Sequence, residues 1–165
     1  MTEAADRNAQ TPWRAWLTPA EQRAWVSLTR LITWLPWSLE EQLRRDANLS
    51  LVEYQVLAVL SESPECVVRM SSLAETINAS LSRLSHVATR LEQRGLMRRE
   101  PDPTDGRFTN AILTEKGFQT LARAAPGHVA HVRSIVVDVL SPEQLRRLGR
   151  DADRILARID KPGIS

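Results

Sequence analysis

The chain of 165 residues has one cysteine, Cys66, and that excludes both an internal disulfide and a structural zinc site built by that thiol alone. No cation flanks Cys66 closely in sequence to activate it, so a partly buried structural thiol is expected, with a redox switch as the other reading. No run approaches the roughly 18 consecutive apolar residues that a membrane span needs. Met1 to Gln10 is polar and of mixed charge, with no apolar stretch to serve as a signal peptide, so a cytoplasmic location without membrane contact is expected. Internal repeats and low-complexity tracts are absent. So are a nucleophile elbow, a glycine-rich phosphate loop and an H-E-x-x-H pair, which leaves no constellation for an enzyme and no cofactor to expect. Charge of one sign is scarce too: the net value is +2, too small for bulk electrostatics to identify a partner.

Hydrophobic residues make up 42% of the chain and charged residues 25%, enough for a packed core rather than disorder. Residues 1–17 read as a loose arm in which Trp13 and Trp16 have apolar surface to bury. Thr18-Pro19-Ala20-Glu21 predicts a helix start, with a Thr cap, Pro at the first position and Glu three after the cap. Leu28, Ile32, Leu35, Leu39 and Leu43 follow at spacings of three and four, an amphipathic helix expected to bend at Pro36. Ser50-Leu51-Val52-Glu53 is a second capping box, opening a short helix to Leu60 with Tyr54, Leu57 and Ala58 on one face. Val67-Val68-Arg69 predicts a small strand. A helix from Met70 to Ile77, the turn Asn78-Ala79-Ser80 and a helix ended by Gly95 then make a helix-turn-helix. Leu96 to Glu100 and Arg107 to Leu113 predict a β-hairpin with a long tip. Thr114 begins another helix, with Phe118, Leu121, Ala125, Val129, Val132, Val136 and Val139 in phase and an interruption expected at Pro126-Gly127. Ser141-Pro142-Glu143-Gln144 caps the last.

Charge is unevenly placed. From Leu81 to Arg99 there are five arginines (Arg83, Arg90, Arg94, Arg98, Arg99) against one acid, Glu92, the footprint of a local nucleic-acid contact or, more blandly, of a solvated helix face. At 100° per residue, Leu81, Leu84, Val87, Ala88 and Leu91 share one arc of that helix. The other side carries Ser80 at the cap and then Ser82, Arg83, Ser85, His86, Thr89, Arg90 and Gln93, with no acid. Helices that merely meet water mix Glu with Lys, whereas a hydroxyl- and arginine-bearing face suits a major groove: arginine pairs with guanine, and serine or histidine reaches bases or phosphates. At the hairpin tip, Asp105-Gly106-Arg107 offers an arginine to a minor groove. Asp105 suits such a place only if it is paired, either to an arginine of the preceding helix or to Arg107.

Asp105-Gly106-Arg107-Phe108-Thr109-Asn110-Ala111-Ile112-Leu113-Thr114 resembles the D-x-R-x-x-x-x-x-L-T wing signature of MarR-family regulators. Leu73-Ala74, Ser80, Leu91-Glu92 and Arg94-Gly95-Leu96 stand where that family has its helix-turn-helix residues, and the likeness covers roughly residues 18–160. The resemblance implies a mainly α fold with a small β-hairpin wing: a winged helix-turn-helix over 50–116, a dimerisation helix over 18–49 and C-terminal dimerisation helices over 117–165. It further implies a repressor that acts as a homodimer on a pseudo-palindrome of double-stranded DNA and is released by a small aromatic or lipophilic effector. The DNA-contacting residues would be Ser80, Ser82, Arg83, Ser85, His86, Arg90, Asp105 and Arg107. His86 departs from the arginine frequent there, which would weaken that contact or tie it to pH.

Trp13, Trp16, Trp25, Trp34 and Trp37 cluster in the first quarter and suit dimer-interface packing, or else an aromatic ligand pocket. His128 and His131 lie three apart, but no Cys, Asp or Glu joins them to suggest a metal site. The competing reading of the whole chain is a winged-helix protein-interaction module. The polar, arginine-bearing face argues against it, because such a module would expose apolar or mixed-charge residues there.

Overall fold

A computed structural model describes residues 17–159, so Trp13 and Trp16 lie outside the described residues. The elements run α1 (Pro19–Ala47), α2 (Leu51–Glu62), a 3₁₀ turn (Pro64–Cys66), β1 (Val67–Arg69), α3 (Met70–Thr76), α4 (Leu81–Gln93), β2 (Met97–Pro101), β3 (Thr109–Leu113), α5 (Glu115–Val132) and α6 (Pro142–Leu156). This is the mainly helical winged helix-turn-helix that the sequence predicts. The wing is broader than a hairpin, because β1 pairs with β3 and makes a three-stranded antiparallel sheet in the order β1-β3-β2. Val67 faces Ile112 and Arg69 faces Asn110 across one seam, and Met97 faces Leu113 across the other.

Helix ends follow local chemistry. Ser50, Ser80, Thr114 and Ser141 each accept a bond from the backbone N–H three residues on, which satisfies a donor that the first turn leaves free. Thr18 and Glu21 exchange the same reciprocal bonds at the start of α1. At the other ends, Asn48, Asn78 and Gly95 take left-handed φ values of 52°, 51° and 70°, and the next residue's N–H turns back to Leu43, Ala74 and Leu91.

Contacts divide the chain after Ser38. In the segment up to Ser38, Trp25, Trp34 and Trp37 are each more than half exposed, and Trp34 meets Trp37 edge to face with centroids 5.5 Å apart. In the segment from Leu39 onward, one core gathers Leu49, Val56, Leu57, Leu60, Leu73, Leu84, Val87, Ala88, Leu91, Leu96, Met97, Ala111, Leu113 and Leu121. Each fully buried leucine there contributes about 1.5–3 kcal/mol.

Three local expectations change. The buried face of α2 is Glu53, Val56, Leu57 and Leu60 rather than Tyr54, Leu57 and Ala58, because α2 is packed by α3, α4, α5 and β3 at once. Leu81 is 57% exposed although it shares the apolar arc of α4, since it occupies the first turn, ahead of the core. Finally, α5 runs straight through Pro126-Gly127 and continues as a π-helical turn, Arg133–Val137. Pro126 forfeits one backbone bond, and the flanking alanines, strong helix formers, carry the helix past it.

Candidate nucleic-acid interface

The helix α4 is amphipathic, as its period requires: Leu84, Val87, Ala88 and Leu91 are buried, and Ser82, Arg83, His86, Thr89 and Arg90 are exposed. A cleft of about 610 Å³ lies along its first turns, lined by Arg44, Ser50, Ser82, Arg83, His86 and Arg90 among others. The Ser80 hydroxyl is taken up as the helix cap, accepting from the Arg83 N–H at 3.2 Å. Ser82, Arg83 and His86 have no side-chain partner among the described residues.

Every other predicted arginine of the face is held by an acid. Arg90 donates to Glu53 Oε1 at 3.2 Å, and Arg94 reaches Glu53 Oε2 at 3.5 Å. Glu53 is only 8% exposed and also accepts from the Ser50 N–H at 2.8 Å. Burial pushes its carboxyl up, and the bonds from Ser50 and Arg90 more than offset that, holding it below the ordinary glutamate value. This acid was legible only as a capping residue. Its phase with Val56, Leu57 and Leu60 is the signal that it lies on the buried face and must be paired.

Glu53→Gln should therefore cost about 1–2 kcal/mol at pH 7, the lower part of the range for a buried charged bond because its arginine partners reach water. With the folded-state value depressed, that contribution is present at neutral pH and is lost as pH falls below the ordinary glutamate value toward the depressed one. Urea denaturation of both proteins at pH 7, 5 and 3.5 should show the gap closing at the lowest pH. A gap that stays constant would remove ionisation of Glu53 from the account.

Ser85 is not a free reader. Its hydroxyl accepts from Arg99 Nη1 at 3.2 Å, while Arg99 Nη2 bonds Thr89 Oγ1 at 3.1 Å and Glu92 Oε2 at 2.6 Å. Glu92 also accepts from the Arg99 N–H at 2.8 Å, and the guanidinium beside it holds its carboxyl below the usual range. Arg99 of β2 thus stitches the root of the wing to α4.

At the wing tip, Asp105 grips Arg107, not an arginine of α4: Nη2 to Oδ2 is 2.7 Å and Nε to Oδ1 is 3.0 Å. The Arg107 side chain remains 85% exposed. Asp102, which the sequence did not single out, is buried beneath the tip and bonds Arg69 of β1 at 3.2 Å.

Among the described residues no group of three or more His, Cys, Asp or Glu could hold a metal. His128 lies against Tyr54, with ring centroids 4.4 Å apart and the planes tilted by 47°, and its Nδ1 pairs with Gln42 Oε1 at 3.1 Å, with burial pushing its imidazole below the ordinary value. Cys66 is half-buried. No helix of the described residues is long and apolar enough to cross a membrane.

Comparison with known proteins places this geometry. The MarR family model matches residues 49–109, from just before α2 to the first residue of β3. A MarR family transcriptional regulator from Streptomyces coelicolor, solved in complex with DNA, superposes with a TM-score of 0.82 at 46% identity, covering 86% of this chain and 92% of that one. The HTH-type transcriptional regulator MhqR of Bacillus subtilis is 31% identical over 112 residues, 64% of this chain and 75% of its own. The HTH-type transcriptional repressor IacR of Pseudomonas putida is 31% identical over 83 residues, half of this chain and 48% of that repressor, so the match spans about half of that relative. All three are transcriptional regulators. The chain belongs to the MarR family of transcriptional regulators.

Proposed function

We propose that the protein is a sequence-specific regulator that binds double-stranded DNA as a homodimer on a pseudo-palindromic operator, with repression as its effect. The carrying observation is that Ser82, Arg83 and His86 are exposed and unpartnered on one end of α4, with the exposed Arg107 on the wing beside that helix-turn-helix. Unpaired donors on a capped, rigid helix suit base edges in a major groove, and an arginine at a wing tip suits a narrow minor groove. Of the other predicted contacts, Ser80 offers its helix N-terminus to phosphate, Arg90 reaches the backbone from the rim of the cleft, and Ser85 and Asp105 act through Arg99 and Arg107. The S. coelicolor regulator, at 46% identity, was solved with DNA, which supports the same partner here.

The homodimer is supported by apolar residues left exposed along the terminal helices, among them Ile32, Trp34, Val129, Leu148 and Ile155. A small aromatic or lipophilic effector that releases the DNA completes the proposal, on the strength of the family resemblance and the exposed tryptophans.

The test is fluorescence anisotropy of the purified protein on its own upstream intergenic DNA and on a scrambled duplex. Nanomolar binding to the first and far weaker binding to the second is the expected result. Equal, weak binding to both would turn the assignment toward a protein-interaction module. In the same assay Arg83→Ala should cost about 1–3 kcal/mol and erase the preference at one base pair of each half-site. An unchanged preferred site would remove Arg83 as a base reader.

A further inference from the structure

The wing has two fastenings, and they do different work. Arg99 ties the root of β2 to α4. Beyond that root, residues 102–108 form a loop too long for the strand register alone to set. Asp102, the first residue of the loop, shapes it. Its Oδ1 accepts from the Thr104 N–H at 2.8 Å, the Thr104 hydroxyl at 2.6 Å and the Asp105 N–H at 3.2 Å, an Asx turn that aims the chain toward the tip. Its Oδ2 accepts from Arg69 Nε at 3.2 Å and from the Asn110 amide at 3.4 Å. The Arg69 guanidinium also lies over the Phe108 ring, 4.5 Å from its centroid, and the Phe108 carbonyl accepts from the Asp102 N–H at 2.9 Å. The bonds from Thr104, with those of Asp105 and Arg69, keep the Asp102 carboxyl far below the ordinary aspartate range, so it is ionised at any working pH.

Arg69 is the residue that precedes α3, the first helix of the helix-turn-helix. The chain of contacts Arg69–Asp102–Asp105–Arg107 therefore references the wing tip to the body that carries α4. We propose that Asp102 and Arg69 are positioning residues that set how far the Arg107 contact lies from the bases read by α4, and so determine the operator's flanking preference. This rests on the DNA reading given above. Neither residue needs to touch DNA: with their pairing lost, the Asp105–Arg107 grip survives, but the tip to which it belongs no longer has a fixed address.

The test compares wild type, Asp102→Asn, Arg69→Gln and Arg69→Lys on the operator, on duplexes whose base pairs beneath the wing are changed between A·T and G·C, and on duplexes with one central half-site base changed. Asp102→Asn keeps an oxygen for the Asx turn and removes the charge facing Arg69. Both it and Arg69→Gln should lower the A·T-over-G·C flanking preference about tenfold while leaving the central discrimination at the wild-type value. Arg69→Lys, which keeps the charge opposite Asp102, should restore most of that preference. Flanking preference unchanged in Asp102→Asn and in Arg69→Gln would overturn the proposal. Equal loss of flanking and central discrimination would overturn it too, by showing a general structural role. Failure of the wild-type protein to distinguish operator from scrambled duplex is a separate result, and it would remove the DNA reading itself.

Discussion

Binding to operator DNA should weaken by about 10³–10⁵-fold between 50 and 200 mM salt, the fall expected when a dimer neutralises roughly six to ten phosphates. In the proposed dimer each protomer would bring the unpartnered Arg83, the rim cations Arg44 and Arg90 and the exposed Arg107, together with the N-terminal end of α4. Two copies of that set reach the required number. On a plot of log affinity against log salt, the slope should lie at about −5 to −9. The slope also reports on internal pairing. Arg44 faces Glu40, Arg90 faces Glu53 and Arg107 faces Asp105, so each must be shared with, or drawn from, an acid before it meets phosphate. A slope shallower than about −4 would mean that those arginines stay with their acids and that Arg83 and the helix ends carry the contact. A slope near zero would leave no phosphate contact at all.

Gly117→Ala should destabilise the fold by about 3 kcal/mol or more, at the upper end of what overpacking costs. Gly117 sits in the first turn of α5, where its N–H donates to the Thr114 hydroxyl at 3.0 Å and its Cα faces the root of the wing. A Cβ there would collide with the Leu96 carbonyl oxygen and stand 2.8 Å from Leu113 Cδ1. The oxygen cannot retreat freely. It accepts from the Thr114 N–H at 3.2 Å, and the Leu96 N–H is bonded to Leu91 at 2.9 Å. The clash outweighs the roughly 1 kcal/mol that Gly→Ala ordinarily returns inside a helix. Gly149 in α6 is the control: nothing lies within 4 Å of its Cβ position, so Gly149→Ala should stabilise slightly. In a protein of this size, the Gly117 loss should appear as a fall of roughly 6–12 °C in Tm. A thermal melt showing both substitutions equally neutral would refute the close approach.

The parts of the fold that were legible in the sequence are those fixed by chemistry within a few residues. Thr18, Ser50, Ser80, Thr114 and Ser141 announce helix starts because a cap bonds a donor three residues on, and Gly95 announces an end because its φ of 70° suits a residue without a side chain. The exposed end of α4 was legible for the same reason, since its period separates Leu84 and Val87 from Arg83 and His86. What escaped depends on elements meeting at a distance. Tyr54 and Ala58 compete with Val56 and Leu60 for the inside of α2, and only the four elements packed around it decide. The Arg69–Asp102 pair spans 33 residues and exists because β1 lies against β3, with Arg69 opposite Asn110. A strand of three residues gives no hint of that partner.

The acids that shadow the arginines also shape how such a protein would travel through a genome. A basic face with no acids of its own adheres to any phosphate it meets and spends its time parked on irrelevant DNA. On the DNA reading proposed above, Glu53 and Asp105 would act as built-in stand-ins for phosphate, occupying Arg90 and Arg107 until a better-placed anion displaces them. Random duplex would offer that anion without the base contacts that make the exchange favourable, so encounters with it should be brief. Discrimination then grows by weakening the wrong complexes as well as by strengthening the right one, and the search among competing sites shortens.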